Sequence, residues 1–362
     1  MTTTSTPRPP SAGGAAPERP PGGSRMPLPA ARGPLSRALL ALLTGGGHPA
    51  AVREALDAVV ADPHGSWCEH EDVQITLTCL YELHYRGLEG VDDAWEWDPD
   101  LIAVRAALER LVEAELRSRI TVPAVEDRSR AAVGALLLRT AADDDGPSVS
   151  RWVARHAQER HVRELLVHRS VYQLKEADPH TWGIPRIGGA AKAALVEIQA
   201  DEYGGGDPGR VHAVLFARAM TGVGLDATYG RYVDHVPAVT LAHPNVMSML
   251  GLNRRLRGAL VGHLAAFEAT SSVPNRLYGN GLRRLGHDEA TTWYFDEHVE
   301  ADAVHEQIAA RDLAGGLVEQ EPELAEDVLL GAHACLLLEG LLAAHVLACW
   351  ERGVSSLREP LP

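Results

Sequence analysis

One stretch constrains the fold more than any other: residues 293–306, Trp-Tyr-Phe-Asp-Glu-His-Val-Glu-Ala-Asp-Ala-Val-His-Glu. It sets His298, Asp302 and His305 at H-x3-D-x2-H spacing. A helix turns about 100° per residue, so Asp302 falls about 40° to one side of His298 and His305 about 20° to the other. No Gly or Pro interrupts the segment, so it reads as a helix that aims all three side chains at one point. Two imidazoles and a carboxylate on one face suit a first-row metal such as iron, manganese or zinc. A solvated face is the other reading, since Glu297, Glu300 and Glu306 lie beside these residues. Against it, Val299, Ala301, Ala303 and Val304 make the segment too apolar for full exposure.

The rest of the chain offers such a helix other helices to pack on. Ala and Leu are abundant and Phe is scarce, which favours helices over strands. Apolar residues recur at helical spacing over 35–43, 50–60, 73–85 and 101–119, the last capped by Asp98 or Asp100. Residues 1–34, rich in Pro, Gly, Ser and Thr, read as a disordered tail. Asp143 to Pro147 is a break. It separates an N-terminal helical region (35–142) from a second unit (149–353). That unit is expected to hold a long helix over 149–177, stopped by Asp178-Pro179, with Glu176 in its last turn. A helix over 190–203 then closes on the glycines 204–206. Another starts at Asp207-Pro208 and carries His212 one turn in, so that Glu202 and His212 flank one bend. Long helices follow over 245–270, with Glu268 near its end, then 289–311 and 324–351.

Glu82 and His84 invite a metal reading, but two residues apart they point about 160° from each other on a helix; a packing helix with a polar edge is favoured. Arg254, Arg255 and Arg257 read as surface charge in preference to a site for an anionic substrate. The glycines 204–206 follow no strand and match no phosphate-cradling pattern.

A net charge of −15 leaves no basic stripe for nucleic acid or an anionic membrane. The apolar run 332–350 is broken by His333, Glu339 and His345, so no uninterrupted run reaches the roughly 18 residues of a membrane span. Cys68, Cys79, Cys335 and Cys349 form no C-x-x-C, which reads as reduced cytoplasmic thiols.

The candidate ligands are therefore Glu176, Glu202, His212, Glu268, His298, Asp302 and His305. Carboxylates and histidines projecting inward from several helices are how dinuclear iron or manganese sites are built, and seven ligands exceed what a single zinc takes. The set, with its Asp201-Glu202-Tyr203 turn, His212 ten residues on, and Glu268 thirty before His298, resembles the heme-oxygenase-like diiron oxidase and oxygenase superfamily. It looks closest to the branch called iron-containing redox enzymes. The resemblance covers about residues 150–352 and implies an all-α, heme-oxygenase-like helical bundle, here with an N-terminal helical extension. In some members an extra glutamate completes the site, and Glu176 matches it. The resemblance further implies two Fe(II) ions, or an Fe/Mn pair, with O2 as co-substrate and no heme.

The expected activity is oxidation or oxygenation of a small molecule in secondary metabolism: N-oxygenation of an amine, or oxidative remodelling of an amino or fatty acid. An external electron donor and a homodimer are compatible with it. The alternative is a non-catalytic metal-binding or iron-storage bundle. A ferritin-like cage needs repeated Glu-x-x-His pairs, whereas this chain has Asp302-x-x-His305 without a symmetric copy.

Overall fold

Polar caps and glycines cut the chain into helices. In the computed structural model, which describes residues 25–62 and 65–361 and only the backbone of 300–303, the N-terminal region forms α1 (Pro34–Leu43), α2 (Pro49–Ala61), α3 (Glu71–Glu82), α4 (Pro99–Arg119) and α5 (Arg130–Ala142). Asp98 caps α4, its carboxylate accepting from the amides of Asp100 and Leu101. There follow α6 (Val149–His156), α7 (Glu159–Gln173), α8 (Asp178–Thr181), α9 (Gly189–Glu202) and α10 (His212–Gly222). Then come α11 (Ala238–Leu252), α12 (Arg257–Ala269), α13 (Ser272–Leu285), α14 (Glu289–Gln307), α15 (Gly316–Gln320) and α16 (Ala325–Glu351). No strand occurs among the described residues, and one isolated bridge joins Met26 to Leu88. The architecture is the expected all-α helical bundle.

Several boundaries depart from the sequence expectation. Of the expected tail, residues 1–24 lie outside the described residues, but 25–33 lie against the fold. Met26 is buried, donates its amide to Gly87 O at 2.9 Å and accepts from the Glu89 amide at 2.9 Å. The helix expected over 149–177 breaks at Ala157–Gln158. There Gln158 is extended and gives its amide to His161 Nδ1 at 3.0 Å, which starts α7 afresh. Glu176 thus stands in the turn after α7, not in its last turn. The helix expected over 245–270 breaks at Asn253, whose side chain bonds Met249 O at 2.9 Å and Glu109 at 3.1 Å. Residues 207–211 form a turn, so His212 is the first residue of α10. Residues 271–275 start α13, because a proline in the first turn (Pro274) forfeits no helical hydrogen bond. After α14 the chain continues through a π-helical segment, Ile308–Gly315, into α15. Segment Pro322–Glu351 is long and apolar enough, by length and composition, to cross a bilayer, contrary to the reading of its apolar run.

In this fold α16 packs along α12. A Cβ on Gly262 would stand 1.7 Å from Val328 O, and one on Gly331 1.8 Å from Ala259 O. The two helices therefore touch backbone to backbone at a reciprocal pair of glycines. One apolar cluster joins Leu39, Leu77 and Leu108 to Leu166, Phe216 and Leu250; another joins Val133 and Leu137 to Leu195, Leu264 and Leu329. Helices α1–α5 thus share their cores with the later helices.

Candidate metal centre

Six of the sequence-predicted ligands converge, and each arrives from a helix or helix end set by local chemistry. Glu202 closes α9, where Gly204 (φ +81°) lets the chain reverse. His212 opens α10 after that bend. Glu268 is the penultimate residue of α12. His298 and His305 stand two turns apart on one face of α14, whose start is capped by Asp288. All six are buried, each at most 5 % exposed. The seventh, Asp302, lies on α14 between the two histidines, and its side chain is outside the described residues.

The six form two groups that share one carboxylate. Ligand atoms of Glu176, Glu202, His212 and His298 lie within 4.8 Å of one another, and so do those of Glu202, Glu268 and His305. In the first group His212 Nδ1 is 2.8 Å from Glu202 Oε2, and His298 Nε2 is 3.6 Å from Glu176 Oε1. In the second, His305 Nδ1 is 3.6 Å from Glu268 Oε2 and 4.0 Å from Glu202 Oε1.

The lone pairs are aimed inward by residues the sequence reading did not assign. His298 Nδ1 donates to Tyr294 O at 2.8 Å, leaving Nε2 as the inward acceptor. His305 Nε2 donates to Asp201 Oδ2 at 3.1 Å, leaving Nδ1 inward. Such outer partners fix the tautomer and ring angle of a ligating histidine. Tyr294 OH donates to Glu176 Oε2 at 2.9 Å. Asp201 was legible as part of the turn motif, and Tyr294 lies one helical turn before His298, a spacing that could have pointed to it.

Whether these residues fit a metal can be tested on their unsatisfied atoms. Glu202 Oε2, His212 Nδ1 and His305 Nδ1 are buried without a hydrogen-bond partner among the described residues, although the first two are only 2.8 Å apart. Atoms that close, yet not aligned as donor and acceptor, share a focus the way ligands of one cation do. Glu202 and Glu268 also sit in the last turns of α9 and α12, and Glu176 lies just beyond α7. Helix C-termini carry partial negative charge, which disfavours a carboxylate and favours a cation.

The titration pattern agrees. Burial pushes Glu202 upward, but the neighbouring His212, with His298 and His305, outweighs it and brings the carboxyl down to about 2. Burial raises Glu268. Burial lowers His212, yet Glu202 beside it carries the ring above its ordinary value. Burial also lowers His305, but the neighbouring Glu268 carboxylate, with Asp201 and Glu202, lifts it to about 9. Protons on the imidazoles therefore supply the positive charge this cluster of carboxylates demands, a demand that divalent cations meet directly. The residues fit a metal centre.

Two cavities adjoin it. One, of about 10 Å³, has room for little more than a water and is lined by Tyr172, His180, Glu202, Phe267, Glu268 and His298. The other, of about 510 Å³, has His298, Tyr294, Phe216, Phe267, Gln173 and Glu339 on its walls. The other polar groups weighed in the sequence lie elsewhere. Glu82 accepts from Tyr229 OH at 2.8 Å and Lys175 Nζ at 3.3 Å, and His84 faces Glu96 and Arg105. Arg255 pairs with Glu113 and Arg257 with Glu321.

Comparison with known proteins follows this geometry. The sequence model of a family described as iron-containing redox enzymes matches residues 163–340, just under half of the chain and all six converging ligands. The nitrosourea synthase of Streptomyces achromogenes subsp. streptozoticus is 31% identical over 162 residues, 45% of this chain and 34% of that protein. The match thus spans about a third of the length of that relative.

Proposed function

We propose, on the match of residues 163–340 to the sequence model of the iron-containing redox enzyme family, that the chain is an O2-dependent non-heme diiron oxidoreductase acting on a small molecule. The observation that carries this reading is the sharing of Glu202 by two ligand groups. A carboxylate with one oxygen toward each group would suit two cations, where a single-metal site does not require that arrangement. Glu176, His212 and His298 would hold one iron, Glu268 and His305 the other, with Asp302 beside them on α14. When bound, the irons supply O2 activation.

The chain's own residues do the rest. Tyr172 and Phe267 place aromatic surface on the wall of the small cavity, and such apolar surroundings strengthen charge interactions beside them. His298 forms part of the wall of the 510 Å³ cavity, so a molecule bound there reaches the centre directly. Gln173 Oε1, buried on that wall without a partner among the described residues, is an acceptor for an N–H or O–H of the substrate. The similarity to nitrosourea synthase favours a nitrogen-bearing substrate and its N-oxygenation within this reading; an amino or fatty acid is the alternative. An external electron donor is compatible with this reading. The four cysteines are free and buried, which suits a reducing cytoplasm.

The test is metal analysis after anaerobic loading with Fe(II), followed by O2 uptake. Two irons per chain and O2 consumption are expected. A single iron per chain, or full loading without O2 consumption, would overturn the proposal.

A further inference from the structure

Outside the ligand set, three buried histidines form a chain. His180 Nε2 is 3.2 Å from His263 Nδ1, and His263 Nε2 is 2.8 Å from His243 Nε2. His243 Nδ1 is 2.8 Å from Glu339 Oε1. Glu339 is gripped by Arg169 through two bonds of 2.9 and 2.8 Å. The groups come from α8, α12, α11, α16 and α7, so five helices are spent on assembling them. Phe267 packs beside all three rings, with centroids 6.0–6.3 Å away. The two ends lie in different places. His180 lines the small cavity beside Glu202 and Glu268, while Glu339 lines the 510 Å³ cavity.

The tautomers of the chain follow from one end. Burial would raise Glu339, but Arg169 outweighs it and holds the carboxyl well below its ordinary range, so it is an ionised acceptor. His243 must then carry its proton on Nδ1 and accept at Nε2. His263 must donate from Nε2 and accept at Nδ1, and His180 must donate from Nε2. That leaves His180 Nδ1 as a bare acceptor, and it is buried without a partner among the described residues. Every other ring nitrogen in the chain is satisfied. Cys335 lies close enough to His243 and His263 to complete a metal site. All four ring nitrogens of His243 and His263 are, however, already engaged in the hydrogen-bonded chain.

We propose that His180, His263, His243 and Glu339 form a proton path between the metal-side cavity and the larger cavity. A proton reaching His180 Nδ1 lets the Nε2 proton of His180 pass to His263 Nδ1. The Nε2 proton of His263 then passes to His243 Nε2, and the Nδ1 proton of His243 to Glu339 Oε1. One proton enters and one arrives; the three rings end neutral in their opposite tautomers, and Glu339 ends neutral. Arg169 makes protonated Glu339 a strong acid, so the proton is released to the larger cavity or returned along the same atoms. The use of this path in turnover rests on the proposed oxidative function, because oxidation beside buried side chains moves protons that need a route away from the site.

The experiment uses the iron-free full-length protein, so its outcome is separable from that of the iron reading. Nitrogen-15 spectra of the histidine side chains should show protons on His243 Nδ1, His263 Nε2 and His180 Nε2. Protonation of His180 Nδ1, or a bare His243 Nδ1, overturns the path. His263→Gln keeps an acceptor toward His180 and a donor toward His243, but its amide does not relay protons. Solvent exchange of the His180 ring proton should slow at least tenfold in His263→Gln, while the other buried ring protons keep their rates. Unchanged exchange at His180 overturns the path, since a merely structural hydrogen bond is preserved by the amide. The tautomer measurement on the unsubstituted protein decides the matter if His263→Gln does not fold.

Discussion

His305 Nε2 lies 3.1 Å from Asp201 Oδ2, which turns the other ring nitrogen of His305 toward Glu202 and Glu268. Asp201 is itself exposed and precedes Glu202, so one helix end supplies both a proposed ligand and the residue that orients another. Loss of such an orienting carboxylate typically weakens metal binding 10–100-fold. We expect Asp201→Ala to lower Fe(II) affinity within about that range while leaving the helical content unchanged. Fe(II) titration with circular dichroism on the same sample checks this, and an affinity equal to the parent's would remove Asp201 from the site.

The sharing of Glu202 predicts unequal effects on stoichiometry. Glu202→Ala should hold little or no iron, because both groups lose a ligand. Glu176→Ala should keep one iron per chain and bind the second weakly. Metal analysis after desalting separates the two variants. Equal losses would show that Glu202 serves one ion only, or that Glu176 is a carboxylate beyond a helix end and nothing more.

Acid should destabilise the protein through its neutral buried histidines. Burial, with a neighbouring histidine in each case, lowers His168 and His180 to about 3. The unfolded chain binds these protons near pH 6.5 and the folded chain does not. The stability they contribute is therefore complete above about pH 6.5 and is lost as pH falls toward 3, by up to about 1.4 kcal/mol per pH unit for each ring. Denaturant midpoints at pH 5 and pH 7 measure the slope. In His168→Gln, which can still meet Thr240 and Ser356, that slope should flatten by about one proton; an unchanged slope would exclude His168 as a source.

The α12–α16 contact leaves no room for a methyl group. Gly262→Ala would drive its Cβ into Val328 O, and backbone cannot move aside as a flexible side chain can. A destabilisation on the order of 3 kcal/mol is expected, read as a lower denaturant midpoint. Gly340→Ala, on α16 with open space around its Cβ position, is the control and should be neutral or slightly stabilising. If the two variants behaved alike, the close approach of these helices would not be a source of the protein's stability.

Local features of the sequence determined most of the helices and all six of the converging ligands. Helical periodicity depends on neighbours three and four residues apart, so the common face of His298 and His305 is readable from their spacing alone. The glycines after Tyr203 likewise mark the bend that brings Glu202 to His212. Only the tertiary structure decided which faces meet. The helix breaks at Gln158 and Asn253 depend on bonds to His161, Met249 and Glu109, and the last of these is 144 residues distant in sequence. Tyr294 shares its helix with His298, but its partner Glu176 lies 118 residues away. The chain from His180 to Glu339 joins four elements by side-chain contacts that carry no periodic signature. Its direction is set by the grip of Arg169 on one carboxylate, a relationship that exists only once α7 and α16 have packed together.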